Sequence, residues 1–276
     1  LSSIQIAATL WLVFPVLLTA QEASPLPDGN AYVRSAISGT RVQDAAINDF
    51  SYDLEETRER LDGSGKVKSR HVRRYEVYFV ETRPVKRLVT LDGAPLGRKE
   101  QAAEDLKAQT RAKAIVEGRT LSEQPGVRIR LSSLAESVDF KTVGREARNG
   151  RNTLVFDFEP KTGSGAGNTR EAWAFDAVAK ILTGQLRIDE TDRRVVQLEA
   201  HNSSGQKASV STGVKLGTIV LAMEFSPVSD GVWLPLKVVS VVSGRAFLFK
   251  TFRIRQTTIY SNYRRFRVDT EERPLR

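Results

Sequence analysis

The sequence predicts an α+β protein whose main element is one large antiparallel β-sheet. Three observations point there. From Phe50 onward, apolar and polar residues alternate over most of the chain with the two-residue period of a half-buried strand. Turn signals rich in Gly, Asn and Asp separate these runs at short intervals, the pattern of a meander. Only a few stretches, residues 98–118 above all, have the composition and spacing of helices.

Residues 1–20 carry no charge and are mostly apolar from Ile6 on, as in the core of a secretory signal peptide, with Ala20 or Ala23 as the small residue at a cleavage site. An uncleaved anchor is the competing expectation, weakened by Pro15 and by the polar Ser2, Ser3, Gln5 and Thr9. Residues 21–276 are expected to form a single domain, because no stretch reads as a linker. The chain has no cysteine, so a disulfide, a thiolate metal site and a lipid-modified cysteine are all excluded. Its 42 Lys and Arg exceed 33 Asp and Glu, a net charge of +9. That excess favours encounter with anionic envelope surfaces and equally serves solubility.

A first helix is expected over 31–47, with Val33, Ala36 and Ile37 on one face and a weak point at Gly39. Phe50, Tyr52 and Leu54 then alternate with Ser51, Asp53 and Glu55 as a strand. Asp62 to Gly65 reverses the chain, and strands continue over 66–74, 75–81 and 87–91. The helix at 98–118 has a thin apolar stripe, Ala102, Leu106 and Ile115 or Val116, which suits a surface helix or a cover. A short helix is expected over 131–138. Strands over 140–146 and 153–159 are joined at Asn149-Gly150, a two-residue hairpin signal. Residues 161–168, with three glycines, read as a loop, and 170–180 as a helix with Trp173 and Phe175. After Gly184 nearly everything reads as strand, with turns near Asp189, Asn202, Asp230 and Ser243.

Catalytic motifs are missing. The two histidines, His71 and His201, sit in or beside predicted strands, and neither a nucleophile elbow nor a phosphate-binding Gly-rich loop occurs. Ser204-x-x-Lys207 and Lys161-Thr162-Gly163 match fragments of the penicillin-binding signature in reversed order, as chance does. Asp189, Glu190 and Asp192 could hold calcium, or simply form an acidic hairpin turn. We therefore expect no enzyme, no catalytic or metal-ligating residues and no cofactor. The densest charge run, Lys66, Lys68, Arg70, His71, Arg73 and Arg74, is a candidate polyanion site, with Lys66, Lys68 and Arg70 on one strand face; lysine also guards edge strands against aggregation. Nucleic acid is not expected, since no recognition helix or aromatic-basic strand motif occurs.

Phe140-x-x-Val143-Gly144-Arg145-Glu146, then Asn149-Gly150-Arg151 and Leu154-Val155-Phe156-x-Phe158-Glu159-Pro160, resemble the LolA-like superfamily of periplasmic lipoprotein-sorting carriers. Gly184 to Asp189 and Asp230-Gly231-Val232-Trp233-Leu234-Pro235 extend the resemblance, which covers roughly residues 31–268. It implies a curved sheet, an incomplete barrel, whose concave face is covered by helices and receives acyl chains. The expected function is then an exported, periplasmic carrier for a lipid or lipidated protein. Trp173, Phe175, Trp233, Leu234, Phe249 and Phe252 are the candidate cavity walls, although large aromatics also fill ordinary cores. The 98–118 helix and the glycine-rich loop are a candidate lid and hinge. The alternative is an envelope interaction or sensor protein that uses basic strands to hold a polyanion or a partner protein.

Overall fold

The computed structural model describes residues 25–119, 131–148, 150–161, 177–202, 205–211, 213–229, 231–247 and 250–265, without the side chains of 38–45. The expected signal segment, the glycine-rich loop beyond Lys161, and Trp173, Phe175, Ser204 and Phe249 lie outside these residues.

Among the described residues twelve strands form one sheet: β1 (Phe50–Leu61), β2 (Val67–Val80), β3 (Arg83–Leu91), β4 (Ala94–Pro95), β5 (Val138–Arg148), β6 (Arg151–Pro160), β7 (Leu182–Asp189), β8 (Val195–Asn202), β9 (Ala208–Ser211), β10 (Val214–Ser229), β11 (Val232–Ala246) and β12 (Lys250–Arg265). Their order is β4-β3-β2-β1-β12-β11-β10-β8-β7-β6-β5, with β9 beside β10, and every pairing is antiparallel. The path ends at β4 and β5, which do not pair with each other, so the sheet is open and not a closed barrel. The first and last strands meet in its middle, where β1 pairs with β12 from Phe50 opposite Arg265 to Arg60 opposite Ile254. Strand β1 therefore runs six residues past its apolar alternation, through Glu56 to Leu61. Neighbours on both sides satisfy its backbone groups there, although four of the six side chains, Glu56, Arg58, Glu59 and Arg60, are charged.

Helix α1 (Gly29–Ala46) starts where Asp28 accepts a hydrogen bond from the Ala31 N–H at 2.8 Å. Its Val33, Ala36 and Ile37 are buried at helical spacing, and Tyr32 stacks on Phe156 with ring centroids 5.6 Å apart. Helix α3 (Leu131–Ser137) buries Leu131, Leu134 and Ala135 and runs directly into β5. Both helices join the main core, formed with Phe140, Leu154, Phe156, Leu186, Ile188 and Leu198 among others. Helix α2 (Arg98–Val116) is placed differently. Val77 and Tyr75 belong to the cluster of Tyr52 and Leu54, whereas the alternate residues Tyr78 and Val80 pack with Val85 and with Ala108 and Ile115 of α2. Adjacent strand residues point to opposite sides, so α2 lies on the sheet face opposite to α1 and α3. Arg87 on β3 holds it there, bonding to Asp105 of α2 at 3.0 Å.

No described helix is long and apolar enough to cross a membrane.

Candidate functional site

Strand register shows how the face bearing α1 and α3 changes across the sheet. One cross-strand row runs through Phe140, Phe158, Gly184, Ala200 and Leu221 on β5 to β8 and β10, and continues through Ser240, Gln256, Arg58 and His71 on β11, β12, β1 and β2. A parallel row goes from Phe156 through Leu186, Leu198, Met223 and Val238 to Thr258, Glu56 and Arg73. A third goes from Ile219 through Val242 and Ile254 to Arg60. One face thus passes from apolar to charged, three zones deep.

The first zone, β5 to β8, is closed. Leu154, Phe156, Leu186, Ile188 and Leu198 are at most 1 % exposed beneath the helices. The second zone lies on β10 to β12. Here Met223, Val238, Val242, Phe252 and Ile254 are half-buried, and all but Ile254 abut the core on one side. Gly244 seats Phe252: a Cβ there would come within 2.3 Å of the Lys215 carbonyl oxygen and 3.0 Å of the Phe252 ring. The third zone, on β1 and β2, carries exposed Arg58, Arg60, His71 and Arg73.

An aromatic cluster seals one end of this face. Tyr52 lies 5.2 Å from Tyr263 and 5.7 Å from Tyr260 between ring centroids, and the Tyr263 hydroxyl donates to the Pro235 carbonyl at 2.6 Å. Burial pushes the Tyr263 hydroxyl well above the usual phenol range. It stays neutral and remains a donor.

A polar network ties the turn between β7 and β8. Asp189 has a side chain 1 % exposed, accepts two bonds from Arg151 (2.5 and 3.1 Å), and accepts the backbone N–H groups of Thr191 and Asp192. Burial raises the pKa of this carboxyl, but the Arg151 bonds and those backbone donors outweigh it and hold the group below the usual carboxylate range. Glu190 is gripped by Arg145, and Asp192 accepts from Arg151 and from the indole N–H of Trp233 at 3.2 Å. The three acids of the expected calcium-or-turn cluster are thus engaged by protein donors in a hairpin turn.

The predicted site residues are scattered. Trp233 is buried, with its indole tied to Asp192 and the Arg151 guanidinium 5.7 Å from its ring centroid; Leu234 is buried beside it. Phe252 lies on the half-buried strip. Of the basic run, Arg70 and Arg74 pair across β1 with Glu59 and Glu55, on the face bearing α2, where Arg70 is 4.0 Å from Glu59 and Arg74 is 3.6 Å from Asp53. Arg73 lies on the other face, opposite Glu56. Lys66 is in the turn before β2, and Lys68 sits at a register shift, so the expected single face of Lys66, Lys68 and Arg70 is interrupted there. Residues 67–71 have a strand partner only in β1. Sequence reasoning missed Val238, Val242 and Ile254. The signal was present in Val238-Val239-Ser240-Val241-Val242, which is apolar at both parities of a strand and marks a segment with two apolar faces.

His201 lines a groove of about 680 Å³ on the face away from α1, together with Lys141, Asp157, Glu159, Gln185 and Glu199. Phe140, Phe158 and Gly184 also line it, so its lining is mixed, with charged and apolar residues side by side. No group of metal-ligating side chains occurs among the described residues.

No family model matches the chain, and no curated protein matches it. Solved structures similar to it include a domain designated as outer membrane lipoprotein-sorting from Vibrio parahaemolyticus, at 11 % identity over 88 % of this chain and 95 % of that one, with a TM-score of 0.39. A DUF1329 family protein from Desulfovibrio piger is similar at 11 % identity, over 87 % and 94 %, with a TM-score of 0.34. The MucA/MucB complex from Pseudomonas aeruginosa is similar at 13 % identity, over 82 % and 93 %, with a TM-score of 0.25. At these identities no residue role passes from them to this chain.

Proposed function

We propose that this chain is an exported, non-enzymatic carrier or binding module that holds an acyl chain of a lipid or lipidated protein in the cell envelope. One observation carries the reading: the half-buried strip of Met223, Val238, Val242, Phe252 and Ile254, which lies between a closed core and a charged margin on one sheet face. Isolated apolar side chains on a surface are ordinary, whereas a contiguous set flanked by packed core is where an apolar guest gains most. About ten methylenes covered at ~0.8 kcal/mol each give roughly 8 kcal/mol, which corresponds to a micromolar affinity before ordering costs. That strength suits reversible carriage. The uncharged, apolar residues 1–20 support export, and the excess of basic residues favours an anionic envelope.

Displacement of a fluorescent fatty acid tests the reading with an internal control. Val238 and Val239 are consecutive half-buried residues of β11 on opposite faces. Saturable binding by the wild type, lost in Val238→Asp and kept in Val239→Asp, is the expected outcome. Equal loss in both variants, or no saturable binding at all, overturns it.

A further inference from the structure

The charged margin of the strip has a composition that its own fold leaves unused. On β1, the acids Asp53 and Glu59 point to the α2-bearing face and neutralise the cations there: Arg70 and Arg255 lie 4.0 and 3.2 Å from Glu59, and Arg74 and Arg264 lie 3.6 and 3.4 Å from Asp53. On the opposite face the described acids are engaged by other cations than Arg58 and Arg60. Glu56 is bound to Lys86 at 2.8 Å, and His71 bonds to Asp92 at 3.2 Å. The Arg58 and Arg60 side chains are exposed and make no ion pair or hydrogen bond among the described residues. They are two positions apart on one strand, about 7 Å along it, a gap two long guanidinium side chains can close on a single phosphate. Across the ladder Arg60 sits opposite Ile254, which sits opposite Val242. Arg58 sits opposite Gln256. Arg60 and the apolar strip are therefore direct cross-strand neighbours, with Arg58 one row further along the same face.

We propose that Arg58 and Arg60 form a headgroup site for the phosphate of an anionic lipid, whose acyl chain lies along Ile254, Val242 and Val238. This rests on the acyl-chain reading above and names its ligand class. Charge complementarity selects the occupant: a neutral lipid would fill the strip and leave both guanidinium groups facing water, whereas a phosphate next to the strip engages them with charge-assisted bonds.

The test compares binding of phosphatidylglycerol and of uncharged diacylglycerol, both in detergent, to the full chain, to the double variant Arg58→Gln/Arg60→Gln, and to Arg70→Gln from the other face. The expected result is a loss of about tenfold in phosphatidylglycerol affinity in the double variant alone, equal to about 1.4 kcal/mol, with diacylglycerol affinity unchanged. Free glycerol phosphate at millimolar concentration is expected not to compete. Unchanged phosphatidylglycerol affinity in the double variant, or equal loss for both lipids, overturns the headgroup site while leaving the acyl reading standing. Competition by free glycerol phosphate overturns the lipid as its source. Wild-type protein that binds neither lipid overturns both proposals together.

Discussion

Gly184 and Asp189, on the same strand, show how single positions set this fold. A Cβ at Gly184 would lie 1.9 Å from the Glu199 carbonyl oxygen, so β7 and β8 approach each other through that missing side chain. Gly184→Ala is expected to cost about 1–3 kcal/mol, because backbone has to move, as measured by urea unfolding. Asp189 contributes through its charge. Its pKa is lowered in the folded state, so its contribution is present above the ordinary carboxylate range and fades as pH falls through the folded value. Asp189→Asn is expected to lose about 2–3 kcal/mol at pH 7, the worth of its hydrogen bonds to a charged group. The gap to wild type is expected to narrow below about pH 4. A gap constant across that range contradicts the assignment. The acidic residues around Asp189 were visible in the sequence as a turn, but Arg151 and Trp233, which hold them, come from distant strands and left no local sign.

Helix α2 illustrates how composition locates an element without placing it. Its extent was legible from strong helix formers, while of the expected stripe Ile115 is buried and Ala102, Leu106 and Val116 are exposed. Leu106 is 64 % exposed and Val116 is 68 % exposed, while Ala108, Ala114 and Ile115 are buried. A helix docked through Ile115 and several alanines carries little apolar periodicity to read. Ile115→Ala is expected to cost about 2–4 kcal/mol and Leu106→Ser less than about 0.5 kcal/mol, as measured by chemical denaturation; similar losses in both would contradict the packing. The position of α2 on the face away from α1 separates it from the half-buried strip, so it does not cover that strip as the expected lid would. The strands β10 to β12 were legible in kind but not in extent: the turn expected near Ser243 lies inside β11, and β12 runs unbroken from Lys250 to Arg265, because pairing with neighbours carries the backbone through those positions.

The molecule as a whole is an open sheet whose faces divide the work. One side is core, strip and cations; the other carries α2, paired charges and the groove beside His201. The open antiparallel architecture was readable because turn residues and alternation are local properties. The face assignments were not, since they depend on which strands become neighbours, and here β1 meets β12 across nearly the full length of the chain. That pairing brings Arg58 and Arg60 beside Ile254. Whether the strip takes a guest decides the function, and native mass spectrometry of the full chain purified from a bacterial host reads this directly. It is expected to show one bound lipid per chain, absent in Val238→Asp and retained in Val239→Asp. Wild-type protein that arrives at its bare mass and stays there after incubation with phosphatidylglycerol would contradict it.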